Sequence, residues 1–360
     1  MLNRVTPDSA SRRTRRQRHD SPPLVVVTRR QPTPSAVFDT YWRFAAERQN
    51  VYLRRLEGGP PPWTTDPVIS TYKFTNPYRA ADRVSQYLIR HVIYAGDYGV
   101  RDTVFRVLLF KLFNKIETWK LLQETEGELR ADRFDVARLA RTLDHALRAG
   151  GTIYSAAYIM PSGPAELRQP RKHLTHLELL ARLLRESLPE RLIETRSMAD
   201  AYALLHSLPG IGPFLAYQFA VDLNYSPHLA FSESEFVMPG PGARDGLRKC
   251  FVSLGDYSEA DAIRWVAERQ AQEFAARGLK TVSLWGRPLQ LIDCQNLFCE
   301  VDKYARVVHP EVAGFSGRSR IKQKFAANPQ PLRSPWFPPK WGLNERIPLS
   351  YQPATGPSLL

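Results

Sequence analysis

The stretch Leu208-Pro209-Gly210-Ile211-Gly212-Pro213-Phe214-Leu215-Ala216 decides the fold of this 360-residue chain. Two glycines flank one aliphatic residue, which permits a tight turn in which backbone amides converge. Helical periodicity precedes the turn at 198–205 and follows it at 214–223. The sequence therefore predicts two helices in close contact, with Ala216 small enough to let them approach each other.

Backbone amides at the start of a helix can bind a DNA phosphate without reading a base. In this respect the stretch resembles the helix-hairpin-helix motif of DNA repair glycosylases. The resemblance implies that Gly210, Ile211 and Gly212 contact DNA. An ordinary corner between two helices, with glycines for its turn, is the alternative, and the flanking helical periodicity favours the DNA-binding motif.

The periodicity is helical along most of the remaining chain. Asn76-Pro77 has a cap residue followed by proline, which predicts a helix continuing to about residue 94. Ser258 to Asp261 is typical of a capping box, and a last helix is predicted at 288–307. Strand-like alternation, as at 68–74, is short and scattered. The predicted fold class is mainly α, with a helix-hairpin-helix, DNA-glycosylase-like core.

The positive charge of the chain is concentrated at its two ends. The sequence has 50 Lys and Arg against 36 Asp and Glu, a net charge of +14. Residues 1–34 carry +6, residues 316–360 carry another +6, and only +2 is left for the rest. A basic excess of this size favours a polyanionic partner, either nucleic acid or an anionic membrane.

These charge and composition patterns predict three parts. Residues 1–34 are interpreted as a disordered basic arm, in which Arg12, Arg13, Arg15 and Arg16 would contact DNA phosphates. A merely solubilising tail is the alternative for such a run. Residues 35–315 are predicted to form the helical domain. Residues 316–360 combine basic residues with prolines and aromatics, which is typical of a strap lying over a core.

Several classes of protein are not favoured by the sequence. Three cysteines give no even disulfide framework, and with the eight histidines they show no metal-ligand spacing. We therefore expect no metal and no evident cofactor. Apolar runs are too short to cross a bilayer, so no membrane partner is expected. The expected location is the cytoplasm or nucleoid, or the nucleus in a eukaryote.

Three segments carry a family resemblance: 75–83 (TNPYRAADR), 239–243 (PGPGA) and 293–304 (DCQNLFCEVDKY). Their order, with the glycine turn between the first and second, resembles the α-glutamyl/putrescinyl-thymine pyrophosphorylases. It also resembles the helical domain found with 5-hydroxymethyl-deoxyuridine DNA kinases. The resemblance covers about residues 37–308 and implies a fold similar to that of DNA glycosylases.

The resemblance implies chemistry on hypermodified thymine in DNA. An amine would displace pyrophosphate from the exocyclic methylene of pyrophosphorylated 5-hydroxymethyluracil, after the base is flipped out of the duplex. The implied catalytic residues are Asp82, Asn296, Glu300 and Lys303, and the implied substrate- or phosphate-binding residues are Asn76, Arg79, Arg83, Gly240 and Gly242. Asp82 or Glu300 would be the general base. The two arginines, Lys303 and the turn at 239–243 would hold the pyrophosphate.

Alternatives remain open at the level of the sequence. By default, the polar residues of the first and last segments would form solvated helix faces with local ion pairs, such as Glu300 with Lys303. The chain has no G-x-x-x-x-G-K-[ST] sequence, so a 5-hydroxymethyluracil DNA kinase would be a separate partner. A glycosylase is a second hypothesis, with Glu233 or Glu235 in place of the aspartate absent from 231–243. A non-catalytic DNA-binding module is a third.

Overall fold

The computed structural model describes residues 29–156, 160–328 and 332–351. Within these residues the chain is mainly α-helical, which confirms the mainly α part of the predicted fold class. The α-helices are α1 (Ala36–Leu56), α2 (Pro67–Thr71), α3 (Arg83–Tyr87), α4 (Val100–Phe113), α5 (Ile116–Glu126), α6 (Val136–Arg148), α7 (Lys172–Arg185), α8 (Leu188–Ile193), α9 (Met198–His206), α10 (Pro213–Leu223), α11 (Pro241–Cys250), α12 (Glu259–Ala276) and α13 (Leu291–Val308). Two short antiparallel strands, β1 (Thr33–Pro34) and β2 (Phe251–Ser253), form the sheet of this part of the chain. No described helix combines the length and apolar content that crossing a membrane requires.

Local capping interactions explain where the helices begin. At α12 the Ser258 hydroxyl accepts from the backbone N–H of Asp261, while the Asp261 carboxylate accepts from that of Ser258, so the predicted capping box is confirmed. At α1 the hydroxyl of Ser35 accepts from the backbone N–H of Val37. These contacts satisfy backbone donors that would otherwise have no partner inside the helix.

Three helices form the centre of the core. All residues of α10 from Leu215 to Leu223 are buried, as are those of α4 from Thr103 to Phe113. Most of α13 is also buried. Helices without a solvent face occupy the interior of a domain, because an apolar surface all round must be covered by neighbours. Each large apolar side chain buried there contributes about 1.5–3 kcal/mol.

The predicted continuous helix at 76–94 is wrong. The chain instead forms a 3-10 turn at Arg79–Ala81, then α3, then a π-helical turn at Leu88–Ile93. The break lies at Asp82, whose backbone is extended (ψ 147°) and whose carboxylate turns back to accept from the N–H of Asn76. A side chain that bonds the preceding backbone competes with helix formation. Of the short alternation at 68–74, residues up to Thr71 lie in α2, and Tyr72 forms an isolated β-bridge with Lys324.

Helices α11 and α13 cross at very short distance because glycines lie in the contact. A Cβ atom added at Gly246 would overlap the backbone carbonyl oxygen of Phe298, and one added at Gly242 would overlap the sulfur of Cys299. No larger residue fits at Gly246 without separating the two backbones. This crossing fixes the start of α11 against α13, which carries several candidate site residues.

Alanine at either glycine should therefore weaken the fold to different extents. We expect Gly246→Ala to lower the free energy of unfolding by about 2–3 kcal/mol and Gly242→Ala by about 1–2 kcal/mol. Adding Cys299→Ala should recover most of the loss at Gly242, because a side chain causes that overlap. It should not recover the loss at Gly246, where backbone causes it. Urea unfolding of the two single and the two double variants, compared with the wild type, measures these free-energy differences.

Gly99→Ala is the matched control for these variants, because a Cβ atom there meets open space. Its free energy of unfolding should stay within about 0.5 kcal/mol of the wild type. Equal losses at Gly242 and Gly246, or rescue of Gly246→Ala by Cys299→Ala, would contradict the proposed cause.

Residues 29–34 differ from the predicted arm, because they are bound to the core. Arg30 pairs with Asp256 through both its backbone N–H (2.8 Å) and its guanidinium (2.7 Å), and β1 pairs with β2. The guanidinium of Arg29 contacts Asp261 at 3.0 Å. These carboxylates neutralise two arginines that the sequence analysis assigned to a free basic tail. The other arm residues, including Arg12, Arg13, Arg15 and Arg16, lie outside the described residues.

Residues 332–351 of the C-terminal segment pack on the helical core. Trp336 and Gln86 exchange two hydrogen bonds through the backbone of Trp336 and the side-chain amide of Gln86. The ammonium of Lys340 donates to the carbonyls of Ser226 (3.0 Å) and Leu229 (2.5 Å), just beyond the end of α10. Phe337 is fully buried. This segment therefore adds aromatic and polar contacts to one side of the core.

Candidate active site

The candidate site is built around a backbone corner at Thr75 and Asn76, before the 3-10 turn at Arg79–Ala81. Two carboxylates bind consecutive amides of this corner. Glu300 accepts from the N–H of Thr75 at 3.0 Å, and Asp82 accepts from the N–H of Asn76 at 2.9 Å. Glu300 lies on α13, more than 200 residues away in sequence. Acidic groups from the first and last predicted segments thus meet at one place.

Amide side chains bind the corner from two directions. Asn296, one turn before Glu300 on α13, donates to the Thr75 hydroxyl (3.0 Å) and to the carbonyl of Asn76 (3.1 Å). The side chain of Asn76 donates to the carbonyl of Ala81 at 3.0 Å. Asn76 and Asn296 therefore orient the corner through hydrogen bonds. We call Thr75, Asn76, Asp82, Asn296, Glu300 and Lys303 the corner site.

Lys303 supplies positive charge at the outer side of the corner site. Its ammonium lies 2.6 Å from the Glu300 carboxylate and 5.3 Å from the ring centre of Phe74. Its side chain is 25 % exposed, so it can reach a ligand from solvent. The predicted Glu300–Lys303 pair is present, but it belongs to this shared cluster and not to an isolated helix face.

Arg48 also contacts the corner site, although it was not among the predicted site residues. From α1 its guanidinium donates to the Asn76 side chain at 2.7 Å and to the carbonyl of Thr75 at 3.1 Å. Burial lowers the pKa of Arg48 to about 10, so it stays protonated near neutral pH. In the sequence, Arg48 lies three or four residues from the apolar Phe44, Ala45 and Val51, on the same face of the helix. An arginine on an apolar face indicates a site residue, since a buried arginine needs partners.

The electrostatic environment changes the protonation of Asp82. Burial, together with the negative charge of Glu300, raises the pKa of Asp82 to about 7, although the N–H of Asn76 and the charge of Arg48 oppose the change. A carboxyl group that titrates near neutral pH can accept or donate a proton under physiological conditions. The geometry therefore places a candidate proton carrier in the corner site.

The guanidiniums of Arg79 and Arg83 bond to other partners than the corner site. The Arg79 guanidinium is buried and bound to Asp222 by two hydrogen bonds of 2.5 and 3.0 Å. Its donors also reach Gln218 and Tyr225. Arg83 is exposed, with its guanidinium 3.7 Å from Glu117. The predicted phosphate-binding role of Arg79 is therefore not supported by its position, because its donors already have partners inside the core.

The Pro-Gly-Pro-Gly turn packs against α13 beside the corner site. Gly240 is the N-terminal cap residue of α11, and a Cβ atom there would meet Phe214 at 2.7 Å. Gly242 packs on Cys299, the residue before Glu300. The amide of Gln295 is also close to Gly240, and its buried oxygen has no hydrogen-bond partner among the described residues. The turn and the corner site thus flank the same stretch of α13.

The glycine turn at 207–212 joins α9 to α10, as the sequence predicts. Gly210 adopts φ +74° and packs against Pro164, whereas Gly212 is exposed and caps α10. The N–H of Ile211 donates to the carbonyl of Leu208 within the turn. In the described chain the amides of Gly210 and Gly212 have no protein acceptor. DNA contact by this turn stays a prediction.

The two acids of the glycosylase hypothesis have different surroundings. Glu233 is mostly buried and its carboxylate lies 2.8 Å from the guanidinium of Arg287. Glu235 is exposed. Among the described residues, no cluster of three or more His, Cys, Asp or Glu side chains is arranged to hold a metal ion.

Comparisons with known proteins point to one family. The family model described as "5-hmdU DNA kinase, helical domain" matches residues 35–314. A relative named 5-hmdU DNA kinase, from Bacillus phage SP10, is 26% identical over 298 residues. That match covers 78% of this chain but only 46% of the relative, so the chain spans about half the length of that protein. No solved structure matches the chain.

Proposed function

The chain belongs to the family of the 5-hmdU DNA kinase helical domain, and from this premise we propose that it is an enzyme acting on 5-hydroxymethyluracil in DNA. The observation that carries the proposal is the corner site. Asp82 and Glu300 bind adjacent amides there, beside the partly exposed Lys303. Two carboxylates and a cation at one surface suit a reaction that moves a proton and releases an anion.

The proposed reaction is displacement of pyrophosphate by an amine. The nitrogen lone pair forms a bond to the exocyclic methylene carbon of the modified uracil, and the bond from that carbon to the pyrophosphate oxygen breaks with its electron pair. The amine loses one proton in the process. The products are an aminomethyl-linked uracil, free pyrophosphate and a proton carried by the enzyme.

Asp82 is the proposed acceptor of that proton. Its pKa of about 7 leaves a substantial fraction ionised near neutral pH, and the same value favours later release of the proton to water. Burial raises this pKa, and the charge of Glu300 adds to the effect. The Glu300 carboxylate also holds the neighbouring amide of Thr75. Asn76 and Asn296 fix the backbone to which both acids are bound.

Lys303 and the Pro-Gly-Pro-Gly turn, with Gly240 and Gly242 at the start of α11, are the proposed partners of the leaving pyrophosphate. The Lys303 ammonium is the cation of the corner site that reaches solvent, and the amides of a helix N-terminus attract anions. Arg79 has no such role in this proposal, because Asp222 holds its guanidinium. Arg83 is exposed and remains a candidate for contact with the DNA backbone.

The turn between α9 and α10 is the proposed anchor on the DNA backbone. The amides of Gly210 and Gly212 lack protein acceptors, and the exposed Gly212 lies at the N-terminus of α10. A phosphate bound there would hold the duplex in place without selecting a base sequence. The modified nucleotide would then be flipped out of the stack to reach the corner site.

Incubation with defined DNA duplexes tests the proposed function. Each duplex carries thymine, 5-hydroxymethyluracil or its pyrophosphorylated form at one position, and amines such as glutamate or putrescine are added. We expect pyrophosphate release and a gain in nucleoside mass only with the pyrophosphorylated base. Mass spectrometry of the digested DNA detects the product.

The other outcomes separate the alternatives. Abasic sites at the modified position would identify a glycosylase and overturn the transfer reaction. Binding without any product, with all three duplexes and all amines, would identify a non-catalytic DNA-binding module. The thymine duplex is the control for reaction at an unmodified base.

A further inference from the structure

Residues 315–324 form a basic segment, which we call the basic track. Arg318, Arg320, Lys322 and Lys324 occur at every second position, and all four side chains are exposed. The segment contains no acidic residue. Ile321, between two of the cations, is half-buried, so the chain turns an apolar side chain toward the core and its charges toward solvent.

Hydrogen bonds attach the basic track to the core along its length. At its start the N–H of Ser316 donates to the carboxylate of Asp245 (2.9 Å). In its middle the guanidinium of Arg306 donates to the carbonyl of Arg320 (2.9 Å). At its end Lys73 donates from its backbone N–H to the carbonyl of Gln323 (3.0 Å). These contacts hold the segment against the core, which distinguishes it from a free tail.

The charges of the basic track are mostly not neutralised by the protein. Arg318 pairs with Asp245 at 2.9 Å. Arg320, Lys322 and Lys324 make no ion pair with a carboxylate of the described residues. In an extended chain alternate side chains lie about 6.6 Å apart, which is comparable with the separation of successive phosphates along a nucleic-acid strand.

An exposed aromatic residue begins the basic track. Phe315 is 69% exposed, and the guanidinium of Arg248 lies 6.0 Å from its ring centre. An exposed aromatic ring can stack on an unpaired base. Aromatic rings combined with a line of cations are typical of surfaces that bind single-stranded nucleic acid.

The far end of the basic track reaches the corner site. Lys324 forms a β-bridge with Tyr72, and the backbone of Phe325 bonds to Thr71. Thr75 lies only a few residues further along the same chain. The ammonium of Lys303 also approaches the carbonyl of Lys73 at 3.5 Å. A strand bound along the track would therefore lead directly to the corner site.

We propose that the basic track, from Phe315 to Lys324, binds one strand of DNA, with its cations on successive phosphates and Phe315 stacked on an unpaired base. The inference rests on the proposed function for the identity of the nucleic acid. It adds a binding surface that lies beyond residue 314, where the family match ends. The track would guide the strand that carries the flipped nucleotide.

Binding of the full chain to fluorescent DNA at several salt concentrations tests the basic track. The triple variant R320A/K322A/K324A should bind single-stranded DNA at least about tenfold more weakly at moderate salt, because three phosphate contacts are lost. The slope of log affinity against log salt should fall by about 2. Phe315→Ala should weaken binding of single-stranded DNA about tenfold and leave the salt slope unchanged.

The control R133A/R141A/R148A removes the same charge from exposed arginines in and beside α6. It should keep both the affinity and the salt slope of the wild type. An equal effect of the control and track variants would overturn the inference, since total charge would then explain binding. The inference would also be overturned if the triple track variant kept both the DNA affinity and the salt dependence of the wild type.

Using thymine and 5-hydroxymethyluracil oligonucleotides in parallel separates this inference from the proposed function. The track variants should lose affinity equally for both, because phosphates carry no information about the base. Loss of affinity without any reaction of the wild type on modified DNA would support the track and contradict the proposed function. Reaction by the wild type, together with unaltered DNA binding by the track variants, would support the proposed function and contradict the basic track.

Discussion

Replacing Asp222 by asparagine is expected to lower the free energy of unfolding by about 3–5 kcal/mol, because it leaves two buried cations without a counter-charge. The Asp222 carboxylate binds the Arg79 guanidinium through two hydrogen bonds and lies 3.1 Å from the ammonium of Lys111. All three side chains are buried. Asparagine keeps the size of the side chain, so a cavity would not explain the loss. Urea or thermal unfolding measures it.

Other variants rank the contributions within this cluster. Arg79→Met should cost less than Asp222→Asn, because Lys111 would still neutralise the aspartate. Asp97→Ala, at an exposed position, is the control and should stay within about 0.5 kcal/mol of the wild type. A loss under about 1 kcal/mol for Asp222→Asn would show that the cluster does not support the core.

The effect of Asp222 should also depend on pH. Although burial opposes ionisation, Arg79 and Lys111 hold the pKa of Asp222 below its usual range. A carboxyl group with a lowered pKa in the folded state stabilises the protein fully above its unfolded value, about 3.9. That contribution is lost as the pH falls through the folded pKa. The difference between wild type and Asp222→Asn should therefore shrink in acid.

The second large effect is expected on the proposed reaction. Asp82→Asn should lower the rate of amine transfer at least about 100-fold, because asparagine can still accept from the N–H of Asn76 but cannot take up the proton. Its unfolding midpoint should change little by comparison. Single-turnover assays on pyrophosphorylated DNA, with mass spectrometry of the product, measure the rate.

The pH profile distinguishes a general base from a structural residue. With Asp82 as the base, the wild-type rate should rise with pH and reach half its maximum near pH 7. Glu300→Gln should shift this midpoint downward, since it removes a negative charge that raises the pKa of Asp82. An unchanged midpoint in Glu300→Gln, or full activity of Asp82→Asn, would contradict the assignment.

Glu235→Gln is the matched control for both acids. Glu235 is exposed and outside the corner site, so its replacement should leave the transfer rate within about twofold of the wild type. Formation of abasic sites that is lost in Glu233→Gln or Glu235→Gln and retained in Asp82→Asn would favour the glycosylase hypothesis instead.

Part of the candidate site could be predicted from the sequence. Asn76, Asp82, Asn296, Glu300 and Lys303 lie in the first and last segments of the family resemblance, and the fold brings them to one corner. Their contacts could not be predicted, because the periodicity placed Asp82 within a continuous helix. In the fold its carboxylate bonds the preceding backbone and ends the 3-10 turn.

Arg48 and Arg79 show what sequence patterns could not provide. Both are arginines in predicted helical segments, and neither position alone tells whether the side chain meets solvent or a buried partner. Arg48 contacts a corner more than 20 residues further along the chain, and Arg79 contacts Asp222 at a separation of 143 residues. The partner of a charged side chain depends on which helices pack together.

The sequence by itself determined the helical class and several helix ends, including the capping box at Ser258, because these depend on periodicity and on neighbours a few residues apart. Only the tertiary structure decided which polar residues share a site. Glu300 reaches Thr75 across 225 residues, and glycines set how closely α11 approaches α13. The physical reason is that desolvation and pairing of charges arise from packing, which no local pattern records.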